Sequence, residues 1–148
     1  MPQTITLPDG YGYAAVIALG LVPALAFVQG MVVTNLRKAA GVPYPNPYAT
    51  HQQAKENPAA HKFNCAQRAH ANLLENMSQT MAFVLFSALE YPNAAKYLGL
   101  GWVVARALYA YGYINDKKTG KGRYLGGWFW FMQLPLLGLS VSTAIKLL

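Results

Sequence analysis

The chain has 148 residues, enough for one domain, and 54% of them are hydrophobic against 11% charged, where a soluble domain carries about 25% charged. That hydrophobicity excludes disorder, and the formal charge of +7 falls mainly in two short polar connections rather than on one face, which argues against a nucleic-acid binder. The single cysteine, Cys65, leaves no internal disulfide and no thiolate metal cluster.

In chain order, "MPQTITLPDG" has no basic region, so the apolar segment after it is expected to stay as a transmembrane helix rather than leave as a signal peptide. A span needs about 20 apolar residues. Residues 12–36 qualify, with Gln29 the one strongly polar interior residue and Pro23 a predicted kink. The polar connection "GVPYPNPYATHQQAKENPAAHK" follows. Residues 63–91 form the second segment, which begins with Arg68, His70, Asn72, Glu75 and Asn76 and becomes almost wholly apolar from Met77. Residues 94–113 make a third span containing Arg106, and residues 124–148 a fourth, whose opening "YLGGWFWF" suits the membrane interface. The expected fold is an all-α membrane protein, a single domain over 1–148 built as a four-transmembrane-helix bundle.

Charge sets the expected orientation. Arg37, Lys38, Lys55 and Lys62 lie in or beside the first connection, and Lys117, Lys118, Lys121 and Arg123 in the third; the second has only Lys96. Connections one and three are therefore predicted to be cytosolic. The lysines of the third are most simply topology determinants or contacts to anionic lipid.

This orientation brings the polar start of the second helix to the same level as the end of the third. Arg68, Asn72 and Glu75 follow i, i+4, i+7 spacing and share one helical face; Arg106, Tyr109 and Tyr113 follow i, i+3, i+7. Charges inside a span are costly, face the bundle interior and mark function. Arg106 and Glu75 are expected at similar depth, as a structural ion pair or as part of the site. Arginines bind carboxylates, a carboxylate receives an ammonium, and Asn and Tyr add neutral hydrogen bonds. A small acidic zwitterion from the cytosol fits, and glutathione has that inventory. A further cation beside its thiol would favour the thiolate. His51 and His61 lie in or beside a connection, leaving His70 alone in a span, so haem ligation is not expected, and no metal-binding spacing is present.

"FNCAQRAHANLLE" and "ARALYAYGY", with "VPYP" after the first helix, resemble signature segments of the MAPEG family, the membrane-associated proteins in eicosanoid and glutathione metabolism. The resemblance implies a homotrimer with glutathione held between neighbours near the cytosolic face, in the endoplasmic reticulum or the mitochondrial outer membrane. It implies that Arg68 and Asn72 hold a glutathione carboxylate and Glu75 its amino group, that Tyr109 and Tyr113 line the pocket, and that Arg37 and His70 come from an adjacent subunit. The thiolate-stabilising arginine follows the last tyrosine by a variable interval. One branch's spacing lands on Gly120, which leaves Arg123, or alternatively Lys121. The implied activity is glutathione transfer to a lipophilic electrophile or reduction of a lipid hydroperoxide. The alternative is a non-catalytic lipid-binding or scaffold protein like the five-lipoxygenase-activating protein.

Overall fold

A computed structural model describes residues 4–116 and 119–148; Lys117 and Lys118, predicted to set topology, lie outside them. The described residues form helices and no strand. Helix α1 runs Tyr11–Ala40 with a π turn, Ile17–Leu21, that ends two residues before Pro23. Proline lacks the N–H that would continue the ladder and its ring crowds the preceding turn, so the widened turn falls where the kink was expected. Gly41, with φ of 67°, ends the helix in the left-handed conformation that glycine tolerates.

The first connection is not simply loop. It contains α2, His51–Glu56, started by a capping box in which Thr50 and Gln53 exchange side-chain and backbone hydrogen bonds. Helix α3 then runs Pro58–Ser87, with Asn57 as N-cap, its side chain accepting from the Ala59 N–H at 2.9 Å, and Pro58 in the first turn. It starts five residues before the apolar pattern does, because cap chemistry rather than hydrophobicity sets the start. Helix α4 spans Pro92–Ile114. Two 3₁₀ turns, Gly122–Leu125 and Gly127–Phe129, lead into α5, Trp130–Lys146.

Helix α3 is central, packing against α1, α4 and α5. Three apolar clusters succeed one another along the bundle. Ala14, Ala88 and Leu136 belong to one, Leu73, Trp102 and Phe129 to the next, and Val33, Phe63 and Ala66 to the third. Many buried positions are alanine, which lets helix backbones approach closely. Polar side chains are also inside: Gln133 accepts from the Trp102 indole at 3.0 Å and donates to Asn76 at 3.3 Å, while Ser87 bonds Ser140 at 2.9 Å. Meanwhile Phe27, Phe131 and Ile145 are largely exposed. Buried polar groups under a skin of large apolar residues are what a bilayer solvates.

Among the described residues two helices, Tyr11–Ala40 and Gly127–Lys146, are long and apolar enough to cross a membrane by length and composition. The sequence predicted four spans. The difference lies in α3 and α4, whose hydropathy is lowered by Arg68, Asn72 and Glu75 on one and by Lys96, Arg106 and several tyrosines on the other.

Candidate functional site

The polar half of α3 builds a continuous chain of hydrogen bonds. Arg68 Nη1 donates to Glu75 Oε1 at 2.7 Å; Asn72 Nδ2 donates to Glu75 Oε2 at 3.3 Å; Arg106 Nη1 donates to Asn72 Oδ1 at 2.8 Å. The i, i+4, i+7 spacing makes this possible, since it stacks Arg68, Asn72 and Glu75 on one helix face. The expected Glu75–Arg106 pair is replaced by an Arg68–Glu75 pair. Arg106 reaches Glu75 only through Asn72, because it is drawn into the bundle. It is 1% exposed, and its Cζ stands 4.3 Å from the Phe129 ring centroid and 5.0 Å from that of Tyr109. Aromatic faces offset part of the cost of burying that cation.

Two clefts flank this chain. One, of about 250 Å³, is lined by Asn72, Tyr109, Arg123, Tyr124, Phe129 and Trp130 among others. The other, of about 460 Å³, includes Tyr48, His61, Cys65, Arg68, Tyr113 and Gly120. The rings of Tyr109 and Tyr113 meet edge to face at 5.8 Å, so the two clefts share a wall. Glu75 lines neither, but the Asn72 that it binds lines the first.

Arg123 reaches the cleft through a close contact of backbones. A Cβ on Gly122 would collide with the Gly112 carbonyl, and one on Gly126 with backbone atoms of Ala105 and Tyr109. Only glycine lets the 3₁₀ segment lie directly on α4. Gly120 has φ of 70°, a conformation that an arginine there would adopt only under strain. Arg123 Nη1 comes within 3.8 Å of where a Cβ on Gly120 would stand, so the guanidinium sits beside the position that one branch's spacing indicates. The hydroxyls of Tyr124 and then Tyr113 raise the pKa of Arg123 further above its usual value, securing the positive charge. Lys121 is exposed and lines neither cleft.

His70 and Arg37 stand elsewhere. His70 lines a groove of about 510 Å³ with residues of α1 such as Gly30, Met31 and Asn35. Arg37 is buried, donating to the Asn46 carbonyl at 2.6 Å and stacked over Tyr44 and Phe63. Within one chain they do not join Arg68 and Glu75, for His70 is two residues from Arg68 and so lies about 200° around the helix. Asn76 is a buried packing residue, bonded to the Asn72 carbonyl and to Gln79 and Gln133. Sequence reasoning missed Phe129 and Trp130 as cleft walls and the Gly112/Gly122/Gly126 contact; "GKGRYLGG" held the signal, four glycines around one arginine.

Fold and site together define an all-helical membrane protein with a charged chain set inside its bundle and clefts beside it. A profile of the MAPEG family matches residues 15–145. The chain belongs to the MAPEG family, which is membrane-bound and includes glutathione transferases and peroxidases as well as non-catalytic members.

Proposed function

We propose that the chain is a membrane-bound glutathione transferase, able to reduce lipid hydroperoxides by the same thiolate, in the manner of the microsomal glutathione transferase type 3 that its motifs resemble. The observation that carries this reading is the Arg68–Glu75–Asn72–Arg106 chain opening beside a cleft that Arg123 shares. Arg68 takes a glutathione carboxylate, Asn72 orients it, and Glu75 receives the ammonium. Tyr109 and Tyr113 wall the pocket, and Arg123 stabilises the thiolate. Arg106 holds Asn72 in register.

Half-exposed side chains of an ion pair, 45% and 53% for Arg68 and Glu75, are costly at membrane depth unless something polar covers them. In a homotrimer each chain's His70 groove would cover the next chain's Arg68 face, a head-to-tail contact that closes as a ring. The four long helices all cross the bilayer of the endoplasmic reticulum, or alternatively the mitochondrial outer membrane, with the first and third connections cytosolic. In conjugation, the thiol proton leaves to solvent and sulfur bonds to an electrophilic carbon, while the leaving group departs with the bonding pair. In peroxide reduction, sulfur attacks the terminal oxygen and the O–O bond breaks, giving an alcohol after protonation; a second glutathione converts the sulfenic form to disulfide and water.

The test is glutathione titration of detergent-purified protein with ultraviolet thiolate absorbance followed in the same cell. Saturable binding with thiolate formation is expected. Binding without thiolate would remove Arg123 from its role, and absence of binding would transfer the assignment to a lipid-binding scaffold.

A further inference from the structure

Reduction of a hydroperoxide leaves an oxygen that needs a proton. When sulfur takes the terminal oxygen, the O–O electron pair leaves on the other one as an alkoxide, a far stronger base than a phenolate. Between the apolar walls of Phe129 and Trp130, water is a poor source of that proton, and a charge left there is costly. Conjugation to a carbon bearing a halide has no such need, because halide departs as a stable anion.

Two tyrosine hydroxyls interact with Arg123, that of Tyr124 first and then that of Tyr113. They serve different clefts. Tyr113 lines the one with Arg68, proposed to take a glutathione carboxylate, and packs edge to face on Tyr109. Tyr124 lines the one with Phe129 and Trp130 and is 66% exposed, with the Arg123 Cζ 5.2 Å from its ring centroid. Trp130 is exposed as well, so an apolar hydroperoxide from the bilayer arrives on the Tyr124 side. A guanidinium only donates, so it meets Tyr124 through an oxygen lone pair and leaves the O–H proton for another acceptor. The cation that holds the thiolate then also stands beside the tyrosinate formed when that proton is given up. The leaving oxygen is one bond beyond the oxygen that sulfur attacks. Its proton donor therefore belongs beside the thiolate's cation rather than within the glutathione pocket.

We propose that Tyr124 is the general acid of hydroperoxide reduction, passing its hydroxyl proton to the alkoxide oxygen released as the O–O bond breaks. This rests on the glutathione-peroxidase reading above. Sulfur gains the terminal oxygen as the sulfenic form, the alkoxide becomes alcohol, and the tyrosinate recovers from solvent the proton that the thiol gave up. The experiment measures kcat and KM of detergent-purified wild type and Tyr124→Phe with two substrates, cumene hydroperoxide and 1-chloro-2,4-dinitrobenzene, together with the thiolate absorbance of each glutathione complex. In the variant, kcat for the hydroperoxide is expected to fall about a hundredfold at unchanged KM, the low end for general-acid catalysis. Conjugation should fall by no more than about threefold, as for loss of one neutral hydrogen bond. Thiolate absorbance should persist, because Arg123 keeps its charge. Equal losses in both reactions, or a rise in hydroperoxide KM at unchanged kcat, would overturn the proposal, as would full hydroperoxide turnover in the variant. Those results leave the wild type active; a wild type that reduces no hydroperoxide would instead remove the peroxidase reading, and Tyr124's role with it.

Discussion

Arg68–Glu75 and Glu90–Lys146 are the same interaction by every local measure. Each pairs a cation with a carboxylate at 2.7 Å, and the side chains are 45% and 53% exposed in the first and 50% and 39% in Lys146 and Glu90 of the second. They differ in what stands behind them. Glu90 lies in the turn between α3 and α4 and Lys146 in the last turn of α5, where solvent or headgroups reach both, and Lys146 also stacks on Tyr91. Arg68 and Glu75 sit within α3 and are tied through Asn72 to a buried guanidinium. Ion-pair geometry alone therefore says little; depth and connection to other charge separate a site from a surface contact.

The comparison breaks most sharply at the cation nearest the proposed thiolate. Arg123→Ala should lower kcat about a hundredfold, on the scale of losing one stabilising donor, with glutathione affinity largely kept. Lys121→Ala should leave turnover intact, and a loss in that variant instead would reverse the assignment. Next in size, Arg68→Ala should weaken glutathione binding about tenfold to a hundredfold, the range for hydrogen bonds to charged groups. Calorimetry on Lys146→Ala should show no change, so equal losses in the two variants would erase the distinction between the pairs.

Gly126→Ala tests whether position or chemistry places Arg123. The added methyl meets the backbone of Ala105 and Tyr109, so thermal unfolding should show a loss of about 1–3 kcal/mol, typical of overpacking. Turnover should fall in the direction of Arg123→Ala although every charge is retained. The smallest effect belongs to the loop before Arg123. Asp116 is held below the usual carboxylate range, first by the Thr119 hydroxyl at 2.7 Å and then by backbone N–H groups of Gly122, Gly120 and Thr119. A depressed folded pKa contributes stability above the unfolded value and loses it as pH falls through the folded one. Limited trypsin digestion after acid exposure should therefore show the loop intact at neutral pH and loosened below about pH 4, and Thr119→Ala should move that loosening upward.

Much of the chain's character was legible because it follows from local rules. The order of long helices could be read from apolar runs separated by proline and glycine, and the shared face of Arg68, Asn72 and Glu75 from helical spacing. The Thr50 capping box and the Asn57–Pro58 start are also written in the sequence, but they mark helix starts in polar stretches where apolar periodicity carries no signal. Other features could not be read at all. Spacing placed Arg106 and Glu75 at similar depth, yet which carboxylate met which guanidinium depended on lateral packing. Phe129 and Tyr109 drew Arg106 inward and left Glu75 to Arg68.

By itself, the sequence determined a helical membrane protein of the MAPEG family and the side of α3 on which its charges lie, because composition and a 3.6-residue period act within one helix. Only the tertiary structure decided that Arg123 comes to Asn72 and Tyr109, that His70 and Arg37 face away from them, and that Gln29 Oε1 is buried without a hydrogen-bond partner among the described residues. Those outcomes depend on how closely separate helices approach, which glycines at Gly112, Gly122 and Gly126 and alanines throughout the core set between residues far apart in the chain.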